Sequence, residues 1–186
     1  MSPHFTLHDE KSAPPDAVAT LERSREALGK IPNLERVMAE APPLLKGYWA
    51  LWDLFDETSL SPAERQVVYL AANFENNCGY CVPWHTLLAR KAELDPACIE
   101  ALRSGTPLPD PKLEALALFT RQLIEHRGHP SHLALEAFLA AGWEPRHALE
   151  VILGCAVKVM SNYTNGIAGT PLDSQVEHLL WSKPHP

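Results

Sequence analysis

Ser61-Pro62-Ala63-Glu64-Arg65-Gln66-Val67-Val68-Tyr69-Leu70-Ala71 reads as the opening of an α-helix. Ser61 stands at the N-cap. Pro62 takes the first helical position, where no backbone donor is needed, and Glu64 stands where a capping box places it. Val67, Val68, Leu70, Ala71 and Phe74 then recur at helical intervals. The cap-then-proline pattern returns at Asp95-Pro96 and at Asp110-Pro111, the second followed by Leu113, Leu116, Leu118, Phe119 and Leu123. The seventeen prolines therefore punctuate helices rather than break them.

Helices are expected near 17–29, 33–41, 43–56, 62–76, 79–93, 96–103, 111–126, 131–141 and 145–163, with an extended tail and a short turn after Gly169. The stretch from His147 to Tyr163 is apolar nearly all round and reads as a buried central helix. Its Gly154-Cys155-Ala156 segment is small enough for another helix to approach closely. Asn165-Gly166 reads as a helix C-terminus. Alternation and β-branched runs hardly occur, so strand signals are poor. The fold class is all-α, a single-domain helical bundle over 1–186. Within it, 1–56 is a helical N-terminal extension, 57–165 a core and 166–186 a tail.

At 186 residues the chain is long enough to bury a core without disulfide staples. A net charge of -7, with sixteen scattered basic residues, argues against a nucleic-acid partner. Met1 to Asp16 lacks the basic start and apolar run of a signal peptide. The best apolar run, Val151 to Val157, is stopped by Lys158, short of membrane-spanning length. The expected setting is soluble and cytoplasmic, with no membrane partner. Four cysteines, two of them close together, do not form a secreted disulfide pattern. In a reducing compartment a close pair points to redox or metal chemistry.

That pair lies in Glu75-Asn76-Asn77-Cys78-Gly79-Tyr80-Cys81-Val82-Pro83-Trp84-His85. A helix beginning near Gly79 puts Cys78 at its N-terminus, Cys81 in its first turn and His85 one turn on, all on one face. Free N–H groups and the helix dipole there favour a thiolate over a thiol. His85 can hold or accept a proton beside Cys81. Two thiols at this spacing can close a disulfide once one is oxidised. Either thiol could feel the dipole, so the helix does not settle which reacts first.

Plainer readings stand beside this one. A structural zinc would need a fourth ligand, and Cys98 and Cys155 are isolated. Haem attachment needs His where Val82 stands, and a thioredoxin fold needs a βαβ context. Two inert buried cysteines beside a core histidine are a further reading. His126, His129 and His132 cluster, but Gly128 and Pro130 mark a surface turn, and no metal is assigned there. Trp49 and Trp52, with Tyr48 and Phe55, form an aromatic stripe expected in the core or a subunit interface. Tyr80 and Trp84 are read as either packing or pocket lining.

The Cys78/Cys81/His85 spacing, preceded by Leu60 to Val68, resembles the alkylhydroperoxidase D-like branch of the carboxymuconolactone decarboxylase superfamily. Ile31-Pro32-Asn33-Leu34, Gly105 to Leu113, Ser161-Asn162-Tyr163 and Gly169-Thr170-Pro171-Leu172-Asp173 look like the same branch. The resemblance implies an alkylhydroperoxidase D-like helical fold and a homo-oligomer, commonly a trimer or hexamer. It also implies reduction of a hydroperoxide substrate through a cysteine pair. Cys81 is then the peroxidatic thiol, Cys78 the resolving thiol and His85 the proton carrier. No cofactor is implied; electrons come from an external dithiol reductant, an adaptor or thioredoxin-like protein.

Three positions depart from the resembled pattern. Gln66 stands where a proton-relaying Glu is often found, and an amide cannot ionise. Tyr80 replaces a His between the cysteines, and Gly166 a His near the C-terminus. Glu75 is the nearest acid in sequence and is the expected second proton carrier. The competing functions are a carboxymuconolactone decarboxylase-like lyase, which has no need of a thiol pair, and a non-enzymatic redox-sensing oligomer.

Overall fold

The structure, a computed structural model, describes residues 1–184; residues 185 and 186 of the expected tail lie outside the described residues. Among the described residues there are nine α-helices, one 3₁₀ turn and no strand. The helices are α1 (Pro15–Leu28), α2 (Asn33–Met38), α3 (Pro42–Asp56), α4 (Pro62–Glu75), α5 (Cys81–Lys91), α6 (Pro96–Ser104), α7 (Pro111–Glu125), α8 (His132–Ala140) and α9 (Pro145–Ala168). The 3₁₀ turn follows at Ser174–Leu179. None of these helices is long and apolar enough to cross a membrane.

Local chemistry accounts for most boundaries. Six helices open on proline, at Pro15, Pro42, Pro62, Pro96, Pro111 and Pro145. The capping box at α4 is complete: the Glu64 N–H donates to Ser61 Oγ at 3.3 Å, and the Ser61 N–H donates to Glu64 Oε2 at 2.7 Å. Asp95 and Asp110 accept first-turn N–H groups of α6 and α7. These caps satisfy donors that a helix start leaves without partners.

The central helix is α4, not α9. Gln66 through Asn73 are buried without interruption, and α5, α6, α7 and α9 pack around them. The expectation of a fully buried α9 is corrected: Leu149, Ile152, Tyr163 and Ile167 are exposed along one side. Apolar residues all round a helix say that it can be covered, not which neighbours cover it. The end of α9 also differs from expectation. Gly166 is helical, and the chain turns at Gly169, which has φ +59 in the left-handed region where glycine carries no steric cost.

The expected close approach at Gly154 is present. A Cβ built there would lie 2.7 Å from Phe55 Cζ and 2.8 Å from Val68 Cγ1, so α3 and α4 meet α9 against a bare backbone. Gly154→Val should therefore overpack this junction and destabilise the protein by about 1–3 kcal/mol. Urea unfolding would measure this. An unchanged midpoint would mean that the Phe55 ring swings clear.

Candidate active site

The cysteine segment is built by an abrupt helix ending. Asn77 adopts φ +51, a left-handed conformation that asparagine tolerates better than most side chains. The Cys78 N–H returns to Asn73 O at 3.0 Å, closing α4. Cys78 then starts a new turn: its carbonyl accepts the N–H groups of both Cys81 and Val82 at 3.1 Å. The helix proper begins at Cys81, two residues later than the expected Gly79. Cys81 therefore sits at the first helical position, where N–H groups are free and the dipole is positive. Its own N–H points at Cys78 Sγ, 3.3 Å away.

The expectation that Cys78, Cys81 and His85 share one open face holds only in part. Cys81, Trp84, His85 and Leu88 line a cavity of about 340 Å³, with Tyr80 beside them. Cys78 does not line it and lies behind Cys81. All four cysteines are free and buried. Cys98 and Cys155 lie away from this cavity, and burial pushes the Cys155 thiol up to about 12.

The two thiols differ electrostatically. Hydrogen bonding to Cys81 and burial both hold the Cys78 thiol above the ordinary range. Burial alone would push Cys81 the same way. The Cys78 hydrogen bond, the Lys158 ammonium and the side chains of Asn162 and Ser161 outweigh burial and bring Cys81 below the ordinary thiol range. Asn165 Nδ2 also donates to Cys81 Sγ at 3.2 Å. The cavity-facing cysteine is thus the one biased toward thiolate.

His85 is buried, with Nδ1 2.9 Å from Gln66 Oε1 and Nε2 2.8 Å from Lys158 Nζ. Burial, and secondarily the Lys158 charge, hold its imidazole well below the usual histidine range. Lys158 was legible in the sequence only as the residue that ends an apolar run. That lone charge inside a buried stretch was the available signal. Glu75 is not part of the site. Its carboxylate faces Arg121 Nε at 3.9 Å and Lys183 Nζ at 3.7 Å, away from the cavity lining. The left-handed turn at Asn77 lies between Glu75 and Cys78, and the carboxylate pairs with these two cations and does not line the cavity.

Five aromatic side chains, Tyr48, Trp49, Trp52, Tyr80 and Trp84, form part of the cavity wall. Tyr48 and Trp49 are buried within the chain and line this cavity with Trp52, whereas Phe55 of the same stripe packs in the core against Tyr69 and Gly154. Tyr80 and Trp84 serve both roles considered for them. Each lines the cavity, and each donates to the buried carboxylate of Asp173, Tyr80 OH at 2.5 Å and Trp84 Nε1 at 3.0 Å. Lys30 Nζ approaches the same carboxylate at 3.1 Å. The tail is in this way clamped onto the start of α5.

Glu35 was missed altogether in the sequence, where nothing marks it apart from other helix acids. It is 3% exposed, lines the cavity and accepts hydrogen bonds from Ser24 Oγ and from Trp49 Nε1, the latter at 2.9 Å. Among the described residues no group of three or more His, Cys, Asp or Glu side chains could hold a metal ion.

Residues 42–122 match the carboxymuconolactone decarboxylase family. No curated protein matches the chain. Among solved structures, an uncharacterized peroxidase-related protein from Ralstonia eutropha JMP134, described as an alkylhydroperoxidase AhpD core, superposes with a TM-score of 0.82. It is 19% identical, over 95% of this chain and 96% of that one. A peroxidase-related protein from Silicibacter sp. TM1040 gives 0.77 at 19% identity, over 93% and 92%. The debrominase Bmp8, as a cysteine-to-alanine variant in complex with 2,3,4-tribromopyrrole, gives 0.80 at 14% identity, over 96% of both chains. At these identities the structural likeness establishes a shared fold.

Burial raises the Glu35 carboxyl from the ordinary 4.5 to about 7, against the opposing hydrogen bonds from Ser24 and Trp49. The folded state then holds a proton that the unfolded state releases between about pH 4.5 and 7. Stability should fall as pH rises through that window, by at most on the order of 3 kcal/mol. Glu35→Gln keeps the acceptor oxygen and should flatten the fall, leaving the variant more stable than the parent at pH 8. Thermal melts from pH 5 to pH 8 would read this. Parallel pH profiles for the two proteins would refute it.

Proposed function

We propose that this chain, with a carboxymuconolactone decarboxylase family match over residues 42–122 on an alkylhydroperoxidase D-like fold, is a thiol-dependent peroxidase. It reduces organic hydroperoxides through Cys81 and Cys78. The observation that carries this reading is the asymmetry of the pair. Cys81 is on the cavity wall and biased toward thiolate, while Cys78 is set behind it and biased toward thiol. A peroxidatic sulfur must meet substrate as a thiolate; a resolving sulfur must reach only the first sulfur.

Cys81 attacks the outer oxygen of the peroxide and becomes a sulfenic acid as the O–O bond breaks. Cys78 then condenses with it to a disulfide and releases water. An external dithiol, adaptor or thioredoxin-like, reduces the disulfide by exchange. A cavity of about 340 Å³ with five aromatic side chains in its wall is larger than hydrogen peroxide requires and suits an organic hydroperoxide. The same side chains favour a flat ring, so reduction of a halogenated aromatic is the second reading. There the thiol pair would again end as a disulfide, while a carbon–halogen bond becomes carbon–hydrogen and halide leaves. The debrominase is the structural relative that points to it.

The test is turnover of an aromatic hydroperoxide with a small dithiol such as dithiothreitol. Cys81→Ser should abolish turnover. Cys78→Ser should lose recycling but still give one equivalent of sulfenic acid, trapped with dimedone. Glu75→Gln should keep the parent rate. Sulfenic acid forming on Cys78 in a Cys81→Ser variant would reverse the roles. Oxidation to the disulfide without catalytic turnover would favour a redox sensor, and halide release from a bromopyrrole without peroxide turnover would favour the second reading.

A further inference from the structure

Lys158 is 1% exposed, yet no carboxylate lies within 4 Å of its ammonium among the described residues. A buried cation without an acid partner is costly. What surrounds Nζ is His85 Nε2 at 2.8 Å, the ring of Tyr69 at 5.2 Å from its centroid, and the cavity that Cys81 also lines. The acids of the cavity, Glu35, Asp53 and Asp56, come from α2 and α3. Burial pushes the Lys158 ammonium below the ordinary lysine range, and the negative charge shared by the Cys81–Cys78 pair, which sits on Cys81, is what opposes that loss.

The hydrogen bonds of this line admit one arrangement with a charged lysine. An ammonium has no lone pair, so Nε2 of His85 must be the acceptor. The imidazole proton is then on Nδ1, which donates to an oxygen, and Gln66 presents Oε1 there at 2.9 Å. A glutamate at position 66 would favour an imidazolium, and an imidazolium could not accept from Lys158. Gln66 and Lys158 are therefore two halves of one arrangement. The amide that departs from the resembled family pattern is the residue that lets the positive charge sit on the lysine.

We infer that Lys158, positioned by a neutral His85, is the counter-ion of the Cys81 thiolate and the proton donor to the oxygen that leaves when the hydroperoxide is cleaved. This rests on the hydroperoxide reading for its second half only. Cys81 sulfur attacks the outer oxygen; the S–O bond forms, the O–O bond breaks, and two electrons pass from sulfur to the leaving alkoxide. Lys158 gives that alkoxide its proton, so Cys–SOH, alcohol and neutral amine result. Cys78–SH condenses with Cys–SOH to the disulfide and water. When the external dithiol restores Cys81–SH, its proton passes to Lys158 and the ion pair is regenerated. His85, expected as the proton carrier, becomes a positioning residue.

The first measurement uses the reduced parent protein without peroxide. ¹⁵N-histidine NMR should show His85 as the neutral Nδ1–H tautomer from pH 5 to pH 8; an imidazolium in that range overturns the assignment. The second is the pH profile of Cys81 alkylation. Lys158→Met exchanges a buried cation for an apolar chain of similar shape and should stay folded. It should slow alkylation of Cys81 at pH 7 at least tenfold, and Gln66→Glu should slow it too. An unchanged profile in Lys158→Met sinks the counter-ion role. Finally, at a pH where Cys81 is fully ionised in both proteins, Lys158→Met should still oxidise at least tenfold more slowly with hydroperoxide. Equal rates there sink the donor role. The NMR and alkylation results stand or fall without any peroxide, so failure of the hydroperoxide reading would be told apart from failure of this one.

Discussion

An ammonium taken out of water has to be answered by charge, lone pairs or polarizable groups, and the interior of this protein is arranged around that requirement at Lys158. The groups that answer it come from three helices: Tyr69 from α4, His85 and Cys81 from α5, and the lysine itself from α9. Gln66, one turn before Tyr69 on α4, completes the line by fixing the imidazole. α4 is buried on every side because it must present Gln66 and Tyr69 inward while its other faces carry α6 and α7. The small residue Gly154, one turn before Lys158, lets α9 come close enough to α3 and α4 for the ammonium to reach them.

A second buried charge secures the other side of the site. Asp173, in the tail, accepts from Tyr80 and Trp84 and is approached by Lys30. Tyr80 OH in turn accepts the Leu34 N–H at 3.0 Å, which brings α2 into the same network. Tyr80 lies between the two cysteines, so the residue that replaces a histidine in the resembled pattern is held at both ends of its hydroxyl. Charge-assisted bonds to a buried carboxylate are among the stronger ones a protein makes. They fix the start of α5, and with it the direction in which Cys81 faces the cavity.

The parts legible in the sequence were those that depend on near neighbours. Ser61, Asp95 and Asp110 cap helices because each bonds donors two or three residues away. Cys78, Cys81 and His85 could be grouped because one helix start holds them. The reading failed where covering by distant segments mattered. α9 and α4 are both rich in apolar residues, and only packing decides that α4 is enclosed while Leu149 and Ile167 of α9 stay exposed. Glu75 is three residues from Cys78, yet its carboxylate pairs with Arg121 and Lys183 and does not line the cavity. Asn165-Gly166 looked like a helix end because the residue pair alone does not reveal that Gly169 supplies the turn.

What the sequence by itself determined is an all-helical chain with two thiols at the start of one helix. Capping, proline placement and thiol spacing act over a few residues and need no knowledge of the rest. What only the tertiary structure decided is which thiol meets the cavity, where the site's positive charge resides, and that Glu35 and Asp173 belong near it. Those properties follow from desolvation and from contacts between residues as far apart as Tyr80 and Asp173 or His85 and Lys158. The cost of burying a charge depends on what distant segments place around it, and residue spacing carries no measure of that.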